Sequence, residues 1–189
     1  KSSAAIVDEA IRFIKANKDR PFYANVWTLL PHAPLNPTPE QLQVYQSLAP
    51  RADDPAFGAW MQKYLGEAKD LKSQMQVFCA SLTDLDTQVG RLLQTLDELQ
   101  LADNTIVIYF SDNGCQMHRG YNAGFQGWKG TPFEGGIHQF CFIRWPAQLQ
   151  AGRQVDRIAA HIDLAPTVLD LCGVHRINET RVSAQQDGL

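Results

Sequence analysis

A long helical period that runs into a buried strand constrains this chain more than any other feature. Met75, Phe78, Cys79, Leu82, Leu85, Val89, Leu92, Leu93, Leu96 and Leu99 recur at three- and four-residue intervals, which predicts one helix from Met75 to Gln100. Asp103-Asn104 then turn the backbone, and Thr105-Ile-Val-Ile-Tyr-Phe110 reads as a strand apolar on both faces. Such a strand needs helices on either side, so the pair points to layered α/β packing.

The rest of the chain repeats this alternation. Ile6, Val7, Ala10, Ile11 and Ile14 make one stripe, predicting a helix from Ser3 to Asn17. Phe22-Tyr-Ala-Asn-Val-Trp-Thr-Leu-Leu30 reads as a second apolar strand, stopped by Pro31, and Gln139 to Arg144 as a third, stopped at Trp145-Pro146. Asp163 caps a last predicted helix that has Pro166 in its first turn and closes around Gly173. From Asn36 to Gly66 the period fades among prolines, which predicts a long excursion with short helical turns. The expected fold is therefore an α/β/α sandwich with a mixed, largely parallel sheet.

Composition narrows the function classes. Seventeen Lys and Arg stand against twenty Asp and Glu, a net charge of −3, so no general basic footprint for nucleic acid or an anionic membrane exists. No stretch has the length and apolarity of a membrane span. The four cysteines, Cys79, Cys115, Cys141 and Cys172, form no CxxC pair, and their apolar surroundings predict buried thiols.

Chemistry concentrates in three loops. Ser111-Asp112-Asn113-Gly114 follows the strand expected at Thr105–Phe110, and ligands of open α/β sheets bind beyond strand carboxyl ends. A carboxylate and an amide oxygen there suit a hard cation, although two such residues are too few to hold one alone. Gly127-Trp-Lys-Gly-Thr-Pro-Phe-Glu-Gly-Gly136 sets Lys129 among glycines, a compact charge suited to a tetrahedral anion, with Thr131 able to add a hydroxyl. Pro31-His32-Ala33-Pro34 holds a histidine at the end of the first expected strand, where it can donate to an anion or transfer a proton. His118, Arg119 and Tyr121 lie between the first two loops and are candidates to line a pocket. His161 and His175, which flank the last helix, read as structural. Tyr45, Phe57, Trp60 and Tyr64 on the excursion are candidates to shape a substrate pocket.

Together these segments resemble the sulfatase family, the formylglycine-dependent branch of the alkaline-phosphatase superfamily. Pro31 to Pro34, Asp86 to Gly90, Thr105 to Gly114, Gly127 to Ile137, Trp145-Pro146 and Asp163 to Gly173 carry the likeness in the family's order, from about residue 20 to 175. The resemblance implies an alkaline-phosphatase-like α/β/α fold and hydrolysis of sulfate esters of small molecules or glycans. It implies Asp112 and Asn113 as ligands of calcium, with magnesium as the other candidate. It further implies Lys129 and His32 as the catalytic contacts to the sulfate group and the departing oxygen; His118, by its place between the two loops, is a further substrate-binding candidate. By the same likeness a periplasmic, secreted or lysosomal-type compartment is expected.

The departures are equally informative. None of the four cysteines stands in the Cys-x-(Pro/Ala)-x-Arg context that yields formylglycine, and the paired aspartates of the family's amino-terminal strand are missing. The expectation is that residues 1–175 correspond to the carboxyl-side portion of a sulfatase catalytic domain. Residues 176–189 then form a polar tail leading toward a further segment, and formylglycine lies outside this chain. His138 stands where relatives often carry arginine. Two alternatives stay open: a phosphodiesterase or phosphonate hydrolase of the same superfamily, and a sulfatase-like binding module without catalysis.

Overall fold

A computed structural model describes residues 2–66, 68–116 and 121–174. The chain divides into two compact units, residues 1–151 and 152–189. His118, His175 and the tail from residue 176 lie outside the described residues.

In the first unit, helix α1 (Ser2–Asn17) packs along helix α4 (Leu71–Glu98). Much of the predicted stripe is buried: Val7, Ala10 and Ile14 on α1, and Leu85 and Leu96 on α4, where Ala80, off the stripe, is buried too and Leu82 is exposed. Arg91 on α4 donates to Asp8 on α1 at 2.5 Å across this seam. The long helix starts a turn before its apolar period does, because Asp70 accepts from the Ser73 N–H at 3.3 Å and so caps it.

The excursion contains helix α2 (Pro39–Gln43), a 3₁₀ turn at Pro55–Phe57 and helix α3 (Gly58–Leu65). Thr38 closes a capping box with Gln41 at the start of α2. Gln76 on α4 donates to the carbonyls of Tyr45, Gln46 and Leu48, fastening the segment after α2. Phe57, Met61 and Leu65 form a second small core, against which Leu71, Met75, Cys115 and Trp128 pack. The excursion is thus a structured layer, and Phe57 belongs to its interior.

The sheet departs from expectation. Strands β1 (Val107–Phe110) and β2 (Cys141–Arg144) pair antiparallel, with Val107 opposite Arg144 and Phe110 opposite Cys141. A parallel pair needs a helical crossover, whereas only a glycine-rich loop and the single turn α5 (Glu134–Ile137) are assigned between these strands among the described residues. Residues 22–30, expected as a strand, have no ladder partner, and Trp27 is 80% exposed. An apolar run becomes a strand only where a neighbour takes its backbone hydrogen bonds, and the described residues provide none. The sheet's own side chains are also open, with Phe142 63% exposed.

Two further expectations are corrected. Cys141 and Cys172 are exposed, because apolar sequence around a thiol buries it only when another layer covers that face. In the second unit, helix α6 (Leu164–Leu171) forms as expected, but Asp163 does not cap it with its side chain. Asp163 turns back and accepts from the Ala160 N–H at 2.7 Å, closing the 3₁₀ turn before the helix.

Candidate active site

Strand β1 delivers Ser111-Asp112-Asn113 to its carboxyl end. Ser111 Oγ donates to the Asn113 carbonyl at 3.0 Å, which bends the chain and leaves Asp112 exposed and Asn113 half-buried. Gly114 follows, buried, its N–H donating to the Gly136 carbonyl at 2.8 Å. A Cβ at Gly114 would collide with the carbonyl of Gly135, so glycine is required for this approach.

The lysine loop folds against that turn. The Lys129 N–H donates to the Cys115 carbonyl at 2.9 Å, and the Gly135 N–H to the Gln126 carbonyl at 2.7 Å. Asn122, 7% exposed, donates through its amide to the carbonyls of Phe125 and Gly127 at 2.5 and 3.1 Å. Thr131 Oγ donates to the Trp128 carbonyl at 2.8 Å and accepts from the Trp128 N–H at 3.2 Å. The Thr131 hydroxyl proton is therefore used inside the turn, which corrects the expectation that it serves an anion. Lys129 and Gly130 are exposed at the tip.

Two loops separated in sequence are thus joined by backbone hydrogen bonds, and the carboxylate-amide pair and the lysine share one loop cluster. His32 stands in the segment between α1 and α2. Its loop borders a shallow depression of about 520 Å³ with Ser73, Gln74 and Val77 of α4. Its Nδ1 lies 2.7 Å from the Ala33 carbonyl. A carbonyl only accepts, so Nδ1 carries the proton and Nε2 remains for other partners.

Burial pushes the Cys115 thiol up to about 11, with a small opposing effect from a backbone hydrogen bond. Cys79 and Cys141 shift the same way for the same reason. These thiols stay protonated at neutral pH and are poor nucleophiles.

For a divalent cation, Asp112 and Asn113 offer the right oxygen chemistry but only part of a ligand set that numbers about six to eight for calcium. Among the described residues no group of three or more His, Cys, Asp or Glu gathers to complete it.

The aromatic surroundings of Lys129 show up only weakly in the sequence. Trp128 lies 4.7 Å from Trp60 and 4.9 Å from Tyr64, which are themselves 4.7 Å apart on α3. The four-residue spacing of Trp60 and Tyr64 puts them on one helix face, but nothing in the spacing names Trp128 as their partner. His138 stacks on Phe125 with centroids 4.7 Å apart, bracing the loop's exit.

The chain is similar to known proteins. The chain is 30% identical to mouse steryl-sulfatase over 177 residues, covering 89% of this chain and 24% of that protein. It is 29% identical to an arylsulfatase of Clostridium perfringens, covering 89% of this chain and 38% of the relative. A crystal structure of the putative sulfatase yidJ from Bacteroides fragilis superposes with TM-score 0.71 at 26% identity, over 90% of this chain and 36% of that one. The structure of Ps i-CgsB with k-i-k-neocarrahexaose gives TM-score 0.76 at 24% identity, over 94% and 35% respectively, and supports the fold. The chain therefore spans well under half the length of these relatives. The model of the family described as Sulfatase matches residues 1–174, and the chain belongs to the sulfatase family.

Proposed function

We propose that the protein carrying this chain hydrolyses sulfate esters, and that the loop cluster of Asp112, Asn113 and Lys129 is this chain's share of the active site. The observation that carries the reading is the joining of the metal-type turn to the lysine loop through Gly114–Gly136 and Cys115–Lys129 backbone hydrogen bonds. The substrate class is a sulfated small molecule or glycan, since the relatives include steryl- and arylsulfatases as well as sugar sulfatases. One solved relative with TM-score 0.72 and 20% identity is described with D-glucosamine-2-N,6-O-disulfate as its substrate, and curated relatives include N-acetylgalactosamine-6-sulfatases.

In this reading Asp112 and Asn113 contribute two oxygen ligands to a calcium or magnesium site completed by other parts of the protein. Formylglycine, when present in the whole protein, supplies the nucleophilic oxygen. Lys129 Nζ holds the sulfuryl oxygens and neutralises their negative charge as the bond to the departing oxygen lengthens. His32, with Nδ1–H engaged by Ala33, presents Nε2 and protonates the leaving alcohol oxygen when its ring is charged. His118 is a further substrate contact. Residues 1–175 act as the carboxyl-side portion of the catalytic domain, and the chain alone lacks the nucleophile.

Turnover of 4-methylumbelliferyl sulfate by the whole protein tests the assignment. K129A is expected to lower kcat/KM on the order of a hundredfold, and the isolated 189-residue chain to show no turnover. Unchanged activity in K129A, or metal-dependent turnover by the isolated chain, would refute the corresponding part.

A further inference from the structure

Lys129 is exposed at a glycine-flanked tip, yet the residue before it is fixed. Trp128 is half-buried between Trp60 and Tyr64 of α3, with ring centroids 4.7 and 4.9 Å away and the Tyr64 ring nearly perpendicular to it. The same helix meets the loop at a second point. Gly58 and Gly124 both have positive φ, 70° and 78°, and a Cβ on Gly58 would stand 2.6 Å from the Gly124 carbonyl oxygen. A third tie is apolar: Trp60, Trp128 and Cys115 pack on the Phe57, Met61, Leu65 core. The excursion thus grips the lysine loop on one side, while Cys115 holds the Lys129 N–H on the other.

We propose that Trp60 and Tyr64, acting through Trp128, are positioning residues for the Lys129 ammonium, so that the excursion buttresses the anion contact. The inference rests on the sulfate-ester reading above. Glycines at 127 and 130, with φ of 94° and 89°, give the tip no stiffness of their own. Stiffness comes from the anchored indole, whose large buried face resists rotation. Displacing a charge from its working position by about 1 Å can cost on the order of a hundredfold in rate.

A double-mutant cycle on the whole protein, read as kcat/KM for 4-methylumbelliferyl sulfate, tests this. W60A is expected to lower kcat/KM about tenfold or more in the wild-type background and to add almost nothing to K129A, because its effect passes through the lysine. W60F should restore most of the loss. Equal fold-losses for W60A in both backgrounds, or no loss at all, overturn the positioning role while leaving the sulfate-ester reading intact. Unchanged kcat/KM in K129A overturns both. If W60A does not fold, the same cycle run with Y64A decides by the same criterion.

Discussion

The backbone N–H of Lys129 donates to the carbonyl of Cys115 at 2.9 Å. Cys115 lies three residues beyond Asp112, so this one bond holds the positive loop beside the turn that carries the carboxylate. Neither residue needs its side chain for the contact. The arrangement depends on backbone geometry, and therefore on the glycines that permit it.

Glycine substitutions should consequently act with opposite signs. G114A and G135A place a Cβ against the carbonyls of Gly135 and Gly127, and each is expected to cost about 3 kcal/mol or more. G90A lies in the interior of α4 with open space around its Cβ and should stabilise by about 0.5–1 kcal/mol. Urea unfolding of the three variants reads both directions.

Packing should outweigh surface charge. Met61 is fully buried in the core beneath the lysine loop, and M61A is expected to cost about 2–5 kcal/mol. Arg91 and Asp8 pair at the surface with side chains 42% and 51% exposed, and R91A should cost less than about 1 kcal/mol. Thermal midpoints of the two variants would rank them, and a larger loss for R91A would contradict the assignment of the core.

The raised thiols predict a pH dependence. The unfolded Cys115 thiol ionises near 9.0, while the folded one holds its proton to about 11. Between those values the unfolded state binds fewer protons, so stability falls as pH rises, and its contribution is complete below pH 9. Cys79 and Cys141 add in the same direction. C115A should flatten the fall in unfolding free energy between pH 9 and 11. Iodoacetamide labelling of Cys115 at pH 8 should be slow in the folded chain and fast in denaturant.

Calcium affinity of the isolated chain should be weak. Asp112 and Asn113 supply two residues where about six to eight oxygens are needed, so titration calorimetry is expected to show millimolar binding or none. Micromolar affinity retained in D112N would place the cation elsewhere.

The helices were legible because their period is local. Ser3–Asn17 matches α1 to within one residue, and the long stripe departs from α4 by two residues at its end and by four at its start, where Asp70 supplies a cap ahead of the first apolar position. The sheet was less legible. Residues 22–30 and 139–144 have similar apolar character, yet only the second contains a strand, since pairing depends on a partner that composition does not name. Cys141 and Cys172 are exposed despite their apolar neighbours for the same reason, exposure being a property of what covers a face.

At the site, residue types make Asp112, Asn113 and Lys129 candidates for a cation and an anion, and the resemblance to sulfatases gives them their expected roles. Tertiary structure decided the rest: that Thr131 spends its proton on Trp128, that Trp60 and Tyr64 brace the loop, and that His32 contacts Ala33 beside α4. Chemistry is carried by side chains, which a sequence states outright. Proximity is carried by backbone hydrogen bonds and burial between distant segments, which exist only once the chain has closed on itself.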